Sequence, residues 1–406
     1  MNRVAGNLVA LVAGLIGGAL LLEIALRIAG LNAAETQPDP VIGYRFVPGA
    51  RYRHTQEGFS TGRFNSHGWR DVEHAEARPA NTTRILVLGD SYVSAFQVPL
   101  DSTFYRRLER GLAGRAAAGT RAGAARRRIE VIALGQDGNS TAVEYLTYRH
   151  WGARYDPDVV AVLFILNDQA DNWRPTALDK ARPFFVEDGD SLRLDNSFAA
   201  AANARRADPL RWLKSRSVLV TTVRRALAAL RPPVRPPVDP GAPVEDGYYR
   251  AWNFDARLPA DSIPAFRVTE KILARFARDV ARDGRRFVLV VAGFANQEDR
   301  ALLAQDSRNP DFDPEKPLRW LTSVGERHGF EVLALTPAFR AASLRLGRPL
   351  WFGTHGHYGH WNSDGHAVAA RALEDYFERT LPGMDTAAVS PPQRGADPSE
   401  AIRRAQ

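Results

Sequence analysis

The chain has 406 residues, 45% apolar and 25% charged, with no cysteine. This is the composition of a folded protein, one large domain with attachments or two modest ones, and it excludes disulfides, thiolate nucleophiles and cysteine-ligated metal sites. The formal charge of +8 comes from 54 basic residues, of which only Lys180, Lys214, Lys271 and Lys316 are lysines; such arginine dominance fits a GC-rich genome, and without a reading helix or an aromatic platform it excludes a nucleic-acid partner.

Val4–Leu22 is an uncharged run in which Asn7 is the strongly polar side chain. At about 1.5 Å per helical residue it nearly crosses a hydrocarbon core of about 30 Å. Apolar character continues to Leu31, interrupted by Glu23 and Arg27, which stand four apart and can pair on one helix face. With Arg3 ahead of the run, the pattern predicts a retained anchor helix over residues 1–34, a cytoplasmic N-terminus and an exported body. The expected location is a bacterial inner membrane, single-pass, with the remainder in the periplasm. A cleaved signal peptide is the rival reading, and Leu31 and Asn32 make a poor cleavage site before Ala33 and Ala34.

Residues 35–80 hold short polar and aromatic motifs and read as a lead-in packed on the domain, with Trp69 and Arg70 as packing residues. Five apolar, β-branched runs follow: Arg84–Leu88, Val131–Leu134, Val159–Ile165, Phe287–Val291 and Val332–Leu335. Their unbroken apolar character suits strands covered on both faces, as in a parallel sheet. Helical patterns lie between them at Thr103–Leu112, Ala142–Ala153, Phe266–Arg282 and Pro317–His328, with a last one at Asp364–Phe377. The alternation predicts a three-layer α/β/α sandwich over about residues 81–380, whose functional loops lie beyond the carboxyl ends of the strands.

Residues 173–262 read as an insertion that contributes no catalytic side chain. Its helical part, Pro209–Leu230, precedes a polyproline spacer at 231–240, and is expected to pack on its own domain by Leu213, Leu219, Val223 and Leu227. Contact with the membrane or with another envelope protein is the alternative for that helix. Residues 385–406 are rich in proline, alanine and charge and read as a disordered tail.

Four polar turns fall at the carboxyl side of the predicted sheet. The first strand runs into Gly89-Asp90-Ser91, placing the Ser91 hydroxyl at the start of a helix. The second ends in Gly135-Gln136-Asp137-Gly138-Asn139-Ser140-Thr141, and the third in Asn167-Asp168. His360-Trp361-Asn362 and Gly365-His366 stand just before the final helix. Each motif alone is weak; four at one sheet edge are not.

This set resembles the SGNH, or GDSL, family of esterases and lipases, in its membrane-anchored bacterial type, over about residues 40–380. The lead-in segment Asn65-Ser66-His67-Gly68-Trp69-Arg70-Asp71 also resembles one found ahead of the serine block in such members. The resemblance implies a flavodoxin-like, mostly parallel five-stranded sheet and a serine ester hydrolase. It implies Ser91 as nucleophile, Gly138 and Asn167 as oxyanion donors and His360 as general base. Elementary chemistry agrees, because a serine hydroxyl attacks an ester only when an imidazole takes its proton, and the resulting oxyanion needs converging donors. Ser91 and His360 are therefore expected within hydrogen-bond reach.

The departure from the family pattern is the acid. The places two and three residues before His360 hold Tyr358 and His357, and no carboxylate lies between Trp351 and His360. Three alternatives remain for the group that orients His360: a backbone carbonyl or Tyr358, a carboxylate from elsewhere in the chain, or a shifted register using Asp364 and His366. His355, His357 and His360 form a weaker metal-site pattern, and no metal or cofactor is expected. Asp168 and Asp171 read as solvated turn residues. The expected partners are a small-molecule or glycan ester with a short acyl group, and the membrane. The enzyme-level rivals to hydrolysis are O-acyl transfer to a polysaccharide and an inactive binding protein of the same fold.

Overall fold

The structure is a computed structural model that describes residues 3–55, 57–118, 127–200, 216–229, 253–256, 262–293, 310–354 and 357–381. In chain order the elements are helix α1 (Arg3–Ile28), strands β1 (Thr36–Asp39), β2 (Gly43–Phe46), β3 (Arg51–His54), β4 (Ser60–Arg63) and β5 (Thr82–Gly89), and helices α2 (Ser91–Ser94) and α3 (Phe104–Ala118). Then come β6 (Arg128–Gly135), α4 (Thr141–His150), β7 (Val159–Phe164), α5 (Asp168–Asp171), β8 (Phe184–Asp188), β9 (Ser191–Asp195) and α6 (Val218–Ala229). The last are α7 (Ile263–Arg282), β10 (Arg286–Val291), α8 (Lys316–His328), β11 (Glu331–Ala334), α9 (Thr336–Leu346), β12 (Trp351–Thr354), β13 (His357–Trp361) and α10 (Ser363–Thr380).

All five predicted strands are present, in one parallel sheet of order β11-β10-β7-β5-β6. Their side chains divide by the two-residue period of a strand. Ile85, Val87, Val131, Ala161, Leu163 and Val290 pack with α3, α9 and α10 on one face. Leu86, Leu88, Ile132, Val162, Phe164 and Leu289 pack with α4, α7 and α8 on the other. Covering on both faces is why these strands are apolar at every position, and it makes the domain a three-layer α/β/α sandwich.

Counting the sheet strands in chain order gives 2-1-3-4-5, so the order reverses beside β5. The crevice for a ligand in such a sheet opens there, at the carboxyl ends of the strands. Ser91 follows β5, Gly138 follows β6 and Asn167 follows β7, so these three turns leave neighbouring strands at the reversal.

The lead-in is more than a packed strap. It forms two hairpins, β1–β2 and β3–β4, with Phe46, Tyr52 and Phe64 clustered around Phe96 beyond the serine turn. Its Asp71 carboxylate accepts the Ala133 N–H of edge strand β6 at 2.8 Å, which satisfies a donor that an edge strand leaves open. Helix α9 carries no predicted counterpart; only Thr336, Phe339 and Ala342 are buried on it, too sparse a stripe to stand out among arginines.

Helix α1 buries no residue and is long and apolar enough to cross a membrane. The expected Glu23–Arg27 pair forms, at 2.8 Å. Glu23 also accepts the N–H groups of Val218 and Leu219 and the Ser217 hydroxyl, at 2.8–3.0 Å. A carboxylate at the open N–H groups of a helix start is a strong cap, so α6 is fastened to α1 by its first turn. The packing expected for this helix is corrected in part: Val218 is buried and Leu219 half-buried, but Val223 and Leu227 are exposed. Leu213, the spacer at 231–240 and the tail at 385–406 lie outside the described residues.

Candidate active site

The turn that carries Ser91 is built by close backbone approach. Asp90 is the N-cap of α2, its carboxylate accepting Tyr92 N–H at 2.9 Å, and Ala95 ends the single turn in the left-handed conformation. Gly135 permits α2 to lie against β6, since a Cβ there would fall 2.5 Å from Ser94 N. The far end of the turn rests on Arg70, whose buried guanidinium donates to the carbonyls of Ser94, Ala95 and Val98 at 2.6–2.9 Å. Ser94 and Ala95 stand at the carboxyl end of α2, where a cation is a favourable group to place, and Val98 follows in the next turn. Trp69 beside it is wholly buried, so both lead-in residues pack as expected.

His360 lies on β13, in a hairpin with β12 that stands apart from the main sheet. Its Nε2 is 2.8 Å from Ser91 Oγ, although 269 positions separate the two residues. Its Nδ1 is 2.6 Å from Glu57 Oε2, and the same oxygen accepts the His360 backbone N–H at 3.1 Å. The ring also packs against Tyr92, centroids 5.0 Å apart.

Glu57 therefore occupies the place of the missing acid, and the open question of the sequence resolves to a carboxylate from elsewhere in the chain. It sits in the turn between β3 and β4, in the lead-in. Gly58 next to it has φ +64°, and a Cβ there would run into Gln97 O and lie 2.7 Å from the Phe352 ring, so the turn requires glycine. The shifted register does not form. His366 is buried, accepts Phe104 N–H on Nδ1 at 3.2 Å and stacks on the Phe104 ring, while Asp364 pairs with Arg348 at 2.7 Å. Asn362 caps α10 by accepting the N–H groups of Asp364 and Gly365. The side chains of His357 and Tyr358 and all of His355 lie outside the described residues.

The charges of the pair reinforce each other. Burial pushes the Glu57 carboxyl up, but the two hydrogen bonds from His360 outweigh it and hold the group below its ordinary 4.5. For His360 burial works downward, and the hydrogen bond and charge of Glu57 overcome it, lifting the imidazole above 6.5.

Gly138 has φ +68°, a backbone region open to glycine. Its loop is tied to the serine turn by a hydrogen bond from the Ser94 hydroxyl to the Asp137 carboxylate. The Asp137 carbonyl accepts from Tyr44 Oη at 3.0 Å and from Arg182 Nη2 at 2.8 Å. Asn167 precedes α5, and its Nδ2 donates to Asp171 Oδ2 at 2.9 Å, leaving the second amide hydrogen for another acceptor. Asp168 and Asp171 are not the solvated residues expected. Asp168 is fully buried, and burial raises both carboxyls above the ordinary range.

Asp90 is also buried, and desolvation pushes it up to about 6. Its Oδ2 lies 3.3 Å from Ser91 Oγ, against 2.8 Å for His360 Nε2, so the histidine is the nearer acceptor for the serine proton. Behind it Glu144 is wholly buried, with neither carboxylate oxygen hydrogen-bonded among the described residues, and burial raises it well above its ordinary value.

The parallel five-stranded sheet in 2-1-3-4-5 order, with the Gly-Asp-Ser turn following β5, is the flavodoxin-like three-layer α/β/α architecture. No family model and no curated protein sequence matches the chain. Among solved structures, the chain is similar to the acetyl xylan esterase AlAXEase at 12% identity and TM-score 0.39, covering 72% of this chain and 98% of that one. It is similar to an α/β hydrolase enzyme from the metagenome of Lake Arreo, Spain, at 15% identity and TM-score 0.37, covering 72% and 93%. A third is a putative lipolytic protein of the G-D-S-L family from Desulfitobacterium hafniense DCB-2, at 7% identity and TM-score 0.35, covering 72% and 98%.

Glu57 is what reasoning from the sequence did not name. Six carboxylates stand between residues 35 and 80, and no spacing relates any of them to His360. Arg182 was missed for the same reason: it belongs to the insertion, yet it donates to the glycine loop.

Proposed function

We propose that the chain is a serine ester hydrolase that works through an acyl-enzyme on Ser91. The observation that carries this reading is the continuous line Glu57 Oε2–His360–Ser91 Oγ, with contacts of 2.6 and 2.8 Å on the two ring nitrogens. Held by Glu57 on Nδ1, neutral His360 presents Nε2 as the acceptor of the serine proton. As Oγ attacks the ester carbonyl, the proton passes to Nε2 and negative charge forms on the carbonyl oxygen. Ser91 N–H, Gly138 N–H and the Asn167 amide are the donors for that charge, each worth roughly 3 kcal/mol in such sites. The imidazolium, stabilised by Glu57, then protonates the departing alcohol. Water enters, loses its proton to the same nitrogen and releases the acid.

The substrate class is a short-chain, acetyl-type ester of an envelope glycan or a small molecule. In the same reading α1 remains as a single-pass anchor and the body stands outside the cytoplasm. The test is turnover of 4-nitrophenyl acetate by the full chain in detergent. Turnover is expected from the wild type and none above background from Ser91→Ala; equal rates would remove the proposal. Retention of the full-length protein in membranes after carbonate washing tests the anchor, and release would contradict it.

A further inference from the structure

A peptide group is planar and trans, so its C=O and its N–H point in opposite directions. The Asp137 carbonyl and the Gly138 N–H belong to one such group. Whatever holds the carbonyl therefore aims the N–H.

Two side chains hold it. Tyr44 Oη donates to Asp137 O at 3.0 Å, and Arg182 Nη2 donates to the same oxygen at 2.8 Å. The two donors are themselves locked together. The Arg182 guanidinium lies 3.6 Å from the centroid of the Tyr44 ring, and its Nη1 donates to Ile42 O at 2.8 Å. Gln136 Nε2 donates to Tyr44 O at 2.7 Å, returning the glycine loop to β2. Arg182 is 3% exposed, so its charge is withdrawn from water and shared among the Asp137 and Ile42 carbonyls and Asp179, whose Oδ2 is 3.3 Å from Nε. A Cβ built on Gly138 would sit 3.4 Å from Tyr44 Oη and 3.6 Å from Arg182 Nη2, which places the clamp directly against the glycine.

We propose that Tyr44 and Arg182 are positioning residues that grip the Asp137–Gly138 peptide by its carbonyl and thereby aim the Gly138 N–H at the oxyanion formed on a substrate bonded to Ser91. The inference rests on the reading of Gly138 as an oxyanion donor. The clamp acts in two ways. It fixes the direction of the N–H before substrate arrives, so no reorganisation is needed at the moment of reaction. Two donors on the carbonyl, one of them cationic, also polarise the peptide and strengthen its N–H as a donor. Tyr44 comes from the lead-in and Arg182 from the insertion, so the two segments outside the sheet alternation meet on one peptide of the site.

The test uses the full chain in detergent with Tyr44→Phe, Arg182→Lys and Arg182→Met. A donor aimed at transition-state charge acts on kcat, so Tyr44→Phe and Arg182→Met are each expected to lower kcat for 4-nitrophenyl acetate by about tenfold, with KM changed less than about twofold. Arg182→Lys should recover part of the loss. Affinity for phenylboronic acid, whose tetrahedral adduct on Ser91 places an oxygen where the oxyanion forms, should fall by the same factor as kcat/KM. A merely structural role would lower the melting temperature without this parallel. Unchanged kcat in Tyr44→Phe, which keeps the ring under Arg182 and therefore the fold, would overturn the clamp, as would a rise in KM alone. Ser91→Ala separates the two levels of the argument: if it retains full turnover the esterase reading fails and the clamp with it, and if it is inactive while Tyr44→Phe is normal, only the clamp fails.

Discussion

Glu57 and His360 are 303 positions apart in the chain, and Glu57 Oε2 lies 2.6 Å from His360 Nδ1. One belongs to a hairpin turn ahead of the sheet and the other to a hairpin just before the last helix. The contact brings the lead-in against the candidate site and gives the histidine a carboxylate partner on Nδ1.

Replacing Glu57 by Gln removes the charge and leaves the shape. The imidazole can then take the wrong tautomer, and its cation loses stabilisation, so kcat for an aryl ester should fall by about 10²–10⁴-fold. A fall of less than threefold in steady-state assays would show that another group orients the ring.

The pH dependence follows from the same pair. His360 must be neutral to accept the serine proton, and Glu57 lifts its pKa above 6.5. The acid limb of kcat/KM should therefore lie above pH 6.5, with activity rising as pH rises through it. In Glu57→Gln that limb should move to lower pH while the plateau drops. A limb that stays in place would detach it from this pair.

The turn that presents Glu57 has no room for a side chain at its neighbour. Gly58→Ala adds a Cβ against Gln97 O and the Phe352 ring, at a positive φ, and strain of this kind costs about 1–3 kcal/mol. The expected result is an enzyme that folds, melts several degrees lower and loses most of its kcat. Full activity with unchanged melting would mean the turn does not fix the acid.

His366 gives a prediction about stability. Burial drives its pKa down to about 3, so the folded state keeps it neutral where the unfolded chain, near 6.5, takes up a proton. Its stability contribution is complete above 6.5 and is lost as pH falls toward 3, by about 2 kcal/mol at pH 5. His366→Gln keeps an acceptor for the Phe104 N–H and should flatten the decline of melting temperature between pH 7 and 5. An unchanged slope would assign that decline to other groups.

The sheet was legible because its strands are buried on both faces, so Ile85–Leu88 and Val159–Phe164 read as unbroken apolar runs. The turns at Ser91, Gly138 and Asn167 were legible because each follows a recognisable strand, and the segment of His360 because it precedes a recognisable helix; the roles proposed for them came from the family resemblance. The hairpins of the lead-in were not. Arg51–His54 and Ser60–Arg63 are four residues long and largely polar, and their pairing depends on an aromatic cluster assembled only in three dimensions. Glu57 and Arg182 share that dependence: their partners lie across the fold, and nothing in their local sequence points to them.

In the proposed reaction Glu57, His360 and Ser91 act together to form an acyl-enzyme. The most direct measurement is intact-mass and peptide mass spectrometry of the full chain after brief exposure to a fluorophosphonate ester at pH 8. One stoichiometric adduct on Ser91 is expected, formed at a rate lowered by about 10²-fold or more in Glu57→Gln and His360→Ala and absent in Ser91→Ala. An unlabelled Ser91, or labelling at the same rate in all three proteins that keep the serine, would contradict it.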